Sequence, residues 1–392
     1  MATARRSNTQ LNQHVVAGLF AGIGGFEKGL AAAGHRTELL CEVDPLACAV
    51  LRARFPGIPL HGDIRTLASL PRRVDLVVAG FPCQDLSQAG RTAGIAGTRS
   101  GLVGEVFRLL AARSVERVLL ENVPFMLQLA GGHAMDVIVR SFEELGYRWA
   151  YRVVDARTFG LPQRRQRVFF LATLEGDPRD VLFVDDAGEP REQDDRGPVA
   201  FGFYWTEGIK GLGWAANAVP TLKGGSTVGV PSPPGVWMPS GEIVTIGLRD
   251  AERLQGLPAD WTKPAEAVGR RSMRWKLVGN AVSVPVARWL GTRLARPGRF
   301  EERAMMPLFP GARWPDVAWN VGDGRFTADL SMWPVPRRAK LLHEFLTECE
   351  PLSQRAATGF LSRTRRSMLR FAPGFLEAVE KHLRASEPAR SA

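Results

Sequence analysis

The stretch Asp75-Leu-Val-Val-Ala-Gly-Phe-Pro-Cys-Gln-Asp-Leu-Ser-Gln88 decides the fold class. Leu76 to Ala79, with Phe81, have the β-branched and apolar character of a buried strand, and Gly80 and Pro82 stop that strand just before Cys83. A thiol is thereby placed at a strand's carboxyl end, the edge at which open α/β sheets bind ligands. On a Pro-Cys turn it serves as a nucleophile if its surroundings lower its pKa; otherwise it is one more small buried apolar side chain. The rest of the chain decides between these.

Upstream, His14 to Phe20 read as a first strand running into Ala-Gly-Ile-Gly-Gly-Phe-Glu-Lys-Gly-Leu, a glycine-rich turn that feeds an amphipathic helix. Gly22, Gly24 and Gly25 let the backbone approach a ligand, although the third glycine of the dinucleotide pattern is missing and a plain strand-to-helix turn fits equally well. The next apolar run, Leu39-Leu-Cys-Glu-Val-Asp44, carries an acid 17 residues beyond Gly25, where nucleoside-binding α/β folds place the carboxylate that accepts ribose hydroxyls. Glu42 takes that role, and Asp44 is positioned to cap a helix starting at Pro45. A third short strand ends in Gly62-Asp63-Ile64, where Asp63 alone reads as a turn or helix cap.

Downstream, Gln84 to Gly104 is rich in Gly, Ser, Thr and Ala, and a loop this long and poor in apolar anchors reads as a lid or as a disordered segment. Its Gly90 to Gly101 portion is expected to be the most mobile part of the free protein, with Arg91 and Arg99 reaching phosphates. Val118 to Leu120 form another buried strand, and it ends at Glu121, an acid that is expensive to bury without a task or a partner. Residues 147 to 158 and 166 to 173 look like a closing pair of strands. Between them Gln163-Arg-Arg-Gln-Arg167 sets Arg165 and Arg167 on one face, either as a functional pair or as a solvated basic edge.

Phe81-Pro-Cys-Gln84, Glu121-Asn-Val-Pro124 and Gln163-Arg-Arg-Gln-Arg167 stand in the order and spacing of the cytosine-5 DNA methyltransferases, and the chain resembles that family over roughly residues 14 to 295. The resemblance implies an α/β fold: a doubly wound, mostly parallel sheet of the S-adenosylmethionine-dependent methyltransferase type, with a small inserted target-recognition domain and a C-terminal extension. It implies Cys83 as the thiolate that adds to carbon 6 of cytosine, Glu121 as the group that stabilises the ring at N3, and Arg165 and Arg167 lining the site, the latter on the cytosine carbonyl. It assigns S-adenosylmethionine to Phe20, Gly22, Ile23, Gly24, Gly25, Glu42, Asp63, Ile64, Pro82 and Asn280, with Asp63 on the adenine amino group and Asn280 beside the methionine part. DNA contacts fall on Gln84, Ser87, Arg91, Arg99, Asn122, Thr221, Leu222 and Lys223. The base that removes the carbon 5 proton is unassigned, with water a candidate.

The same resemblance divides the chain into residues 1–173, catalytic and cofactor-binding; 174–247, target recognition; 248–294, a return segment that completes the first domain; and 295–392, a basic, partly helical extension. Leu248-Arg-Asp-Ala-Glu-Arg-Leu-Gln-Gly-Leu-Pro258 reads as a helix ended by glycine and proline, followed by Gly279-Asn-Ala-Val-Ser-Val-Pro285. Base reading is placed around Thr221 to Thr227, which includes the Thr-Leu pair often found in that domain. The extension reads equally as extra DNA or partner contact, to other components of a defence system, and as a helical cap.

A net charge of +11 suits a polyanion, here double-stranded DNA bound by a monomer; only seven of the 51 basic residues are lysines, so codon bias towards arginine accounts for part of it. From Arg293 onward there are 17 basic and 11 acidic residues. Four cysteines without paired spacing and six scattered histidines predict reduced thiols and no metal site. No apolar run or leader points to a membrane, so a cytoplasmic, nucleoid-associated protein is expected. The expected function is sequence-specific cytosine-5 methylation of DNA in a restriction-modification or anti-phage system. The rivals are the same chemistry on transfer RNA and a catalytically dead scaffold, the second weakened by the presence of Cys83, Glu121, Arg165 and Arg167.

Overall fold

The computed structural model describes residues 12–82, 101–190, 198–224, 231–301, 305–336 and 340–385. Cys83, Gln84, Ser87, Arg91 and Arg99, most of the expected lid, and the base-reading positions 225–227 therefore lie outside the described residues.

The chain begins β1 (Val15–Leu19), α1 (Gly25–Ala31), β2 (Arg36–Cys41), α2 (Pro45–Arg54), β3 (Leu60–His61), β4 (Leu76–Ala79), α3 (Leu102–Ala112), β5 (Arg117–Asn122), α4 (His133–Glu144) and β6 (Arg148–Asp155), followed by β7 (Gln163–Arg164) and β8 (Gln166–Thr173). Strands β3, β2, β1, β4 and β5 lie side by side in that order and run parallel. Strand β8 inserts antiparallel between β5 and β6, making the closing pair anticipated from the sequence. All four residues of β4 are buried, because apolar clusters built with helices cover both faces of the sheet. The chain first moves outward from β1 to β3 and then returns to β4 on the other side of β1. That reversal opens a crevice at the carboxyl ends of β1 and β4.

A second sheet contains β9 (Phe201–Phe203), β10 (Trp214–Ala216), β12 (Gly235–Trp237) and β13 (Ile243–Ile246), while β11 (Val219–Pro220) pairs in parallel with β7. The chain then returns through helices α6 (Leu248–Leu254), α7 (Arg274–Asn280) and α8 (Val284–Ala295); a four-residue helix, α5 (Arg179–Leu182), lies earlier. Helix α8 seats against α1 at Gly29, where an added Cβ would lie 2.5 Å from the Ala287 Cβ and 2.7 Å from the Val284 carbonyl oxygen. Gly25 likewise meets the Val282 carbonyl oxygen, at 2.5 Å from an added Cβ. The return segment thus closes on the first domain at bare backbone.

The residues after 295 are not a separate appendage among the described residues. Strands β14 (Met305–Pro307), β15 (Val317–Asn320) and β16 (Phe326–Ala328) extend the main sheet, with β15 antiparallel to β6. Helix α9 (Leu342–Phe345) follows, and β17 (Cys349–Pro351) pairs with β13 in the second sheet. Helices α10 (Gln354–Thr364) and α11 (Phe375–Ala385) bring Phe360 and Phe375 onto Phe203 in an aromatic core. The fully buried Asp250 of α6 anchors this crossing by accepting the amides of Thr347 and Glu348, each at 2.7 Å. The tail thus holds helices α10 and α11, and short strands carry it into both sheets.

Candidate active site

The switch-point crevice is a cleft of about 980 Å³, a size that buries a drug-sized ligand. Phe20, Gly22 and Ile23 line it from the turn after β1, Glu42 to Asp44 from the end of β2, and Asp63 to Arg65 from the turn after β3. Gly80 to Pro82 follow β4, Glu121 to Val123 end β5, and Arg165, Arg167 and Asn280 complete the wall.

The glycine turn is shaped by left-handed backbone at Phe20 (φ 53°), Gly22 (φ 56°) and Gly24 (φ 81°). Such a conformation is costly for a phenylalanine and persists where surrounding structure imposes it, commonly at ligand sites. Glu42 holds the turn: Oε2 accepts from the Gly22 amide at 2.7 Å, and Oε1 from the amides of Val43 and Asp44 at 2.9 and 2.8 Å. Asp44 caps α2 by accepting from Leu46 and Ala47. Partial burial works against its ionisation, but the Lys276 ammonium, 2.9 Å away, and these amides hold its carboxyl below the usual range. Asp63 caps the turn Ile64–Thr66 and pairs with Arg65 at 2.7 Å while facing the cleft. Gly24 and Gly25 are not in the lining: Gly24 backs onto Phe55 and Gly25 onto Val282, so their bareness serves packing.

On the other side of β4, Glu121 is 8% exposed and its Oε1 lies 2.9 Å from Arg167 Nε. Arg165, 2% exposed, donates to the carbonyl oxygens of Gly279 and Ala281 at 3.2 and 2.6 Å, which ties the arginine strand to the segment before α8. Burial, and secondly Arg167, push the Arg165 guanidinium down, and Glu121 opposes this. For Arg167, burial lowers and the Glu121 carboxylate raises. Two cations and one buried anion therefore share this wall, and an electron-rich planar group placed there meets donors on one edge.

Four positions assigned to DNA contact have the following surroundings in the structure. Asn122 is buried, with Nδ2 on the Phe81 carbonyl at 3.1 Å and Oδ1 on the Val123 amide at 2.8 Å. It braces the turn leading to position 83 while lining the cleft. Leu222 is 3% exposed in the core beneath the second sheet, so it fills space where contact with DNA was expected. Thr221 directs Oγ1 to the Arg164 carbonyl at 2.7 Å, and the Lys223 ammonium pairs with Glu207. Lys276 in the cleft wall, and Gln163 and Tyr204 behind it, were not singled out: Lys276 is a lone cation on a helix, and the Tyr204 partners are distant in sequence.

A doubly wound sheet with an antiparallel insertion, a glycine turn and acidic strand end on one side of the switch point, and a carboxylate with two arginines on the other are the arrangement of an enzyme cleft with a ligand side and a polar reaction side. The model of the C-5 cytosine-specific DNA methylase family matches residues 15–195. The chain is 48% identical over 385 residues to the Type II methyltransferase M2.BsuMI of Bacillus subtilis strain 168, covering 93% of this chain and 97% of that one. It is 27% identical over 289 residues to the Type II methyltransferase M.MspI of a Moraxella species, covering 68% and 67%. In fold it is similar to the Dnmt2 methyltransferase of S. pombe, with a TM-score of 0.51, 19% identity, and 72% and 98% of the chains covered. The chain belongs to the C-5 cytosine-specific DNA methylase family and is a DNA methyltransferase.

Among the described residues no helix is long and apolar enough to cross a membrane, and no group of His, Cys, Asp and Glu gathers as a metal site.

Proposed function

We propose that this enzyme methylates carbon 5 of one cytosine within a defined double-stranded DNA sequence, with S-adenosylmethionine as donor, as the modification partner of a restriction or anti-phage system. The observation that carries the reading is the buried Glu121–Arg167 pair, adjacent across the strand ends to Pro82, in one cleft with Glu42 and Asp63. The Type II naming of the curated relatives supports the biological setting.

The residues present fit the cofactor. Glu42 and Asp63 supply acceptors for hydroxyl and amino donors, Ile23, Ile64, Phe81 and Leu102 supply apolar walls, and the open Gly22 backbone admits close approach. S-adenosylmethionine supplies an electrophilic methyl group when bound. Cys83 adds as thiolate to carbon 6 of cytosine, and Glu121 holds a proton at N3 while Arg167 holds the carbonyl oxygen, so the negative charge entering the ring is neutralised. Carbon 5 thereby becomes nucleophilic. After methylation and loss of the carbon 5 proton to a base, the Cys83 thiolate leaves. The cytosine must first rotate out of the stack, at a cost of a few kcal/mol.

Glu42→Ala is expected to raise the cofactor Kd by about 10- to 100-fold, the loss of one charge-assisted hydrogen bond, with kcat at saturating cofactor close to that of the native enzyme. Calorimetric titration of the cofactor checks this, and a change under threefold removes Glu42 from the site.

Base-resolution mapping of 5-methylcytosine in DNA from cells expressing the native chain tests the function. One short motif methylated throughout the genome is expected. Soluble protein with no mark on DNA overturns the reading and directs the search to RNA.

A further inference from the structure

Tyr204 follows β9 and is 2% exposed, its ring fitted over Gly213, where a Cβ would lie 2.7 Å from Cδ2. Its hydroxyl donates to the Thr221 carbonyl. The Lys223 ammonium lies 4.0 Å from the ring centroid. On the opposite side, Gln163 Oε1 accepts the Leu222 amide at 3.1 Å while its Nε2 donates to the Leu254 carbonyl at 2.8 Å. Thr221 Oγ1 reaches the Arg164 carbonyl. Thr221 and Leu222 are thus held by main-chain bonds between Tyr204 and the strand that continues into Arg165 and Arg167, with the Lys223 side chain lying over the Tyr204 ring.

We propose that Tyr204 is a specificity-determining positioning residue, which fixes the Thr221–Lys223 backbone against the Gln163–Arg167 strand so that recognition of the DNA sequence and placement of the catalytic arginines are one event. The inference rests on the reading of the chain as a sequence-specific DNA methyltransferase. A hydroxyl bonded to main chain sets where a loop sits whatever its side chains contact. A mismatched duplex that displaces Thr221–Lys223 then shifts the registered strand, and Arg167 with it. Discrimination accordingly falls on kcat as well as on binding, as in enzymes whose correct substrate assembles the site.

Tyr204→Phe in the full chain removes only the hydroxyl and keeps the ring under Lys223. Steady-state kcat and KM are measured on the duplex carrying the mapped target and on duplexes with one base pair of the target changed. The ratio of kcat/KM between target and altered duplex is expected to fall at least tenfold, chiefly through a raised kcat on the altered duplex, with cofactor Kd unchanged. A ratio within threefold of native, whether both rates hold or both fall together, overturns the proposal and leaves Tyr204 a structural residue. Thr221→Val removes the loop's other tie from a half-buried position, carries the same expectation, and decides the matter if Tyr204→Phe fails to fold. A native chain that methylates no duplex defeats the functional reading; a native chain that is active, with variants of unchanged discrimination, defeats this inference alone.

Discussion

Cys83→Ser is expected to lower methyl transfer by at least about 10⁴-fold and to leave duplex and cofactor affinities within a few-fold of native. A cysteine exposes a few per cent of an intrinsically strong nucleophile at neutral pH, whereas a serine hydroxyl stays protonated without a dedicated base. The chain enters position 83 from Pro82 in the cleft wall, and the Asn122 amide on the Phe81 carbonyl fixes the turn before it. The check is the single-turnover rate on the mapped target, together with trapping on DNA bearing 5-fluorocytosine, which arrests the cysteine adduct in the native enzyme. Residual activity above 1% of native, or an adduct formed by the serine variant, removes Cys83 from the mechanism.

Glu121→Gln is the second large effect, a fall of about 10²- to 10³-fold in kcat, the scale set by losing one proton-holding, charge-stabilising group. Glutamine keeps the shape of the side chain but cannot balance Arg167, whose Nε lies 2.9 Å from the native carboxylate. A buried guanidinium then loses its counter-charge, so a lower Tm accompanies the loss of rate. The two consequences separate experimentally. If Glu121 acts on N3, adduct formation slows in parallel with kcat while cofactor binding persists. If it serves only to hold Arg167, the melting temperature drops and the rate stays within tenfold of native.

What the sequence disclosed follows from how local each signal is. The run Leu76–Ala79 is fully buried in the structure, and Asp44 caps the helix at Pro45, because both depend on neighbouring residues alone. Glu121 stood out as an acid at the end of an apolar stretch and Arg167 as one of two alternate arginines on one face, and the antiparallel pairing of β5 with β8 brings them together. Tyr204 had no such signal: its hydroxyl partner Thr221 lies 17 residues on, and residues 221–222 reach Gln163 and Arg164 through side-chain bonds as well as the β7–β11 pairing. Strands of three or four residues such as Met305–Pro307 and Cys349–Pro351 show no readable alternation, so the tail looked helical and peripheral. For Leu222 and Asn122, burial adds packing and bracing roles that motif membership alone did not suggest.

The crossing of the tail between the two sheets bears on how specificity could be exchanged within this group of enzymes. A cassette cut at residues 198 and 246 would carry β9, β10, β12 and β13 but leave behind β17 and the helices that supply Phe360 and Phe375 to their core. The recipient would receive a sheet with a bare edge at β13 and an aromatic cluster open to water, the kind of surface that aggregates. A working chimera must therefore take two separate pieces from one donor, and the Asp250 carboxylate with the Thr347 and Glu348 amides is the natural seam at which to join them.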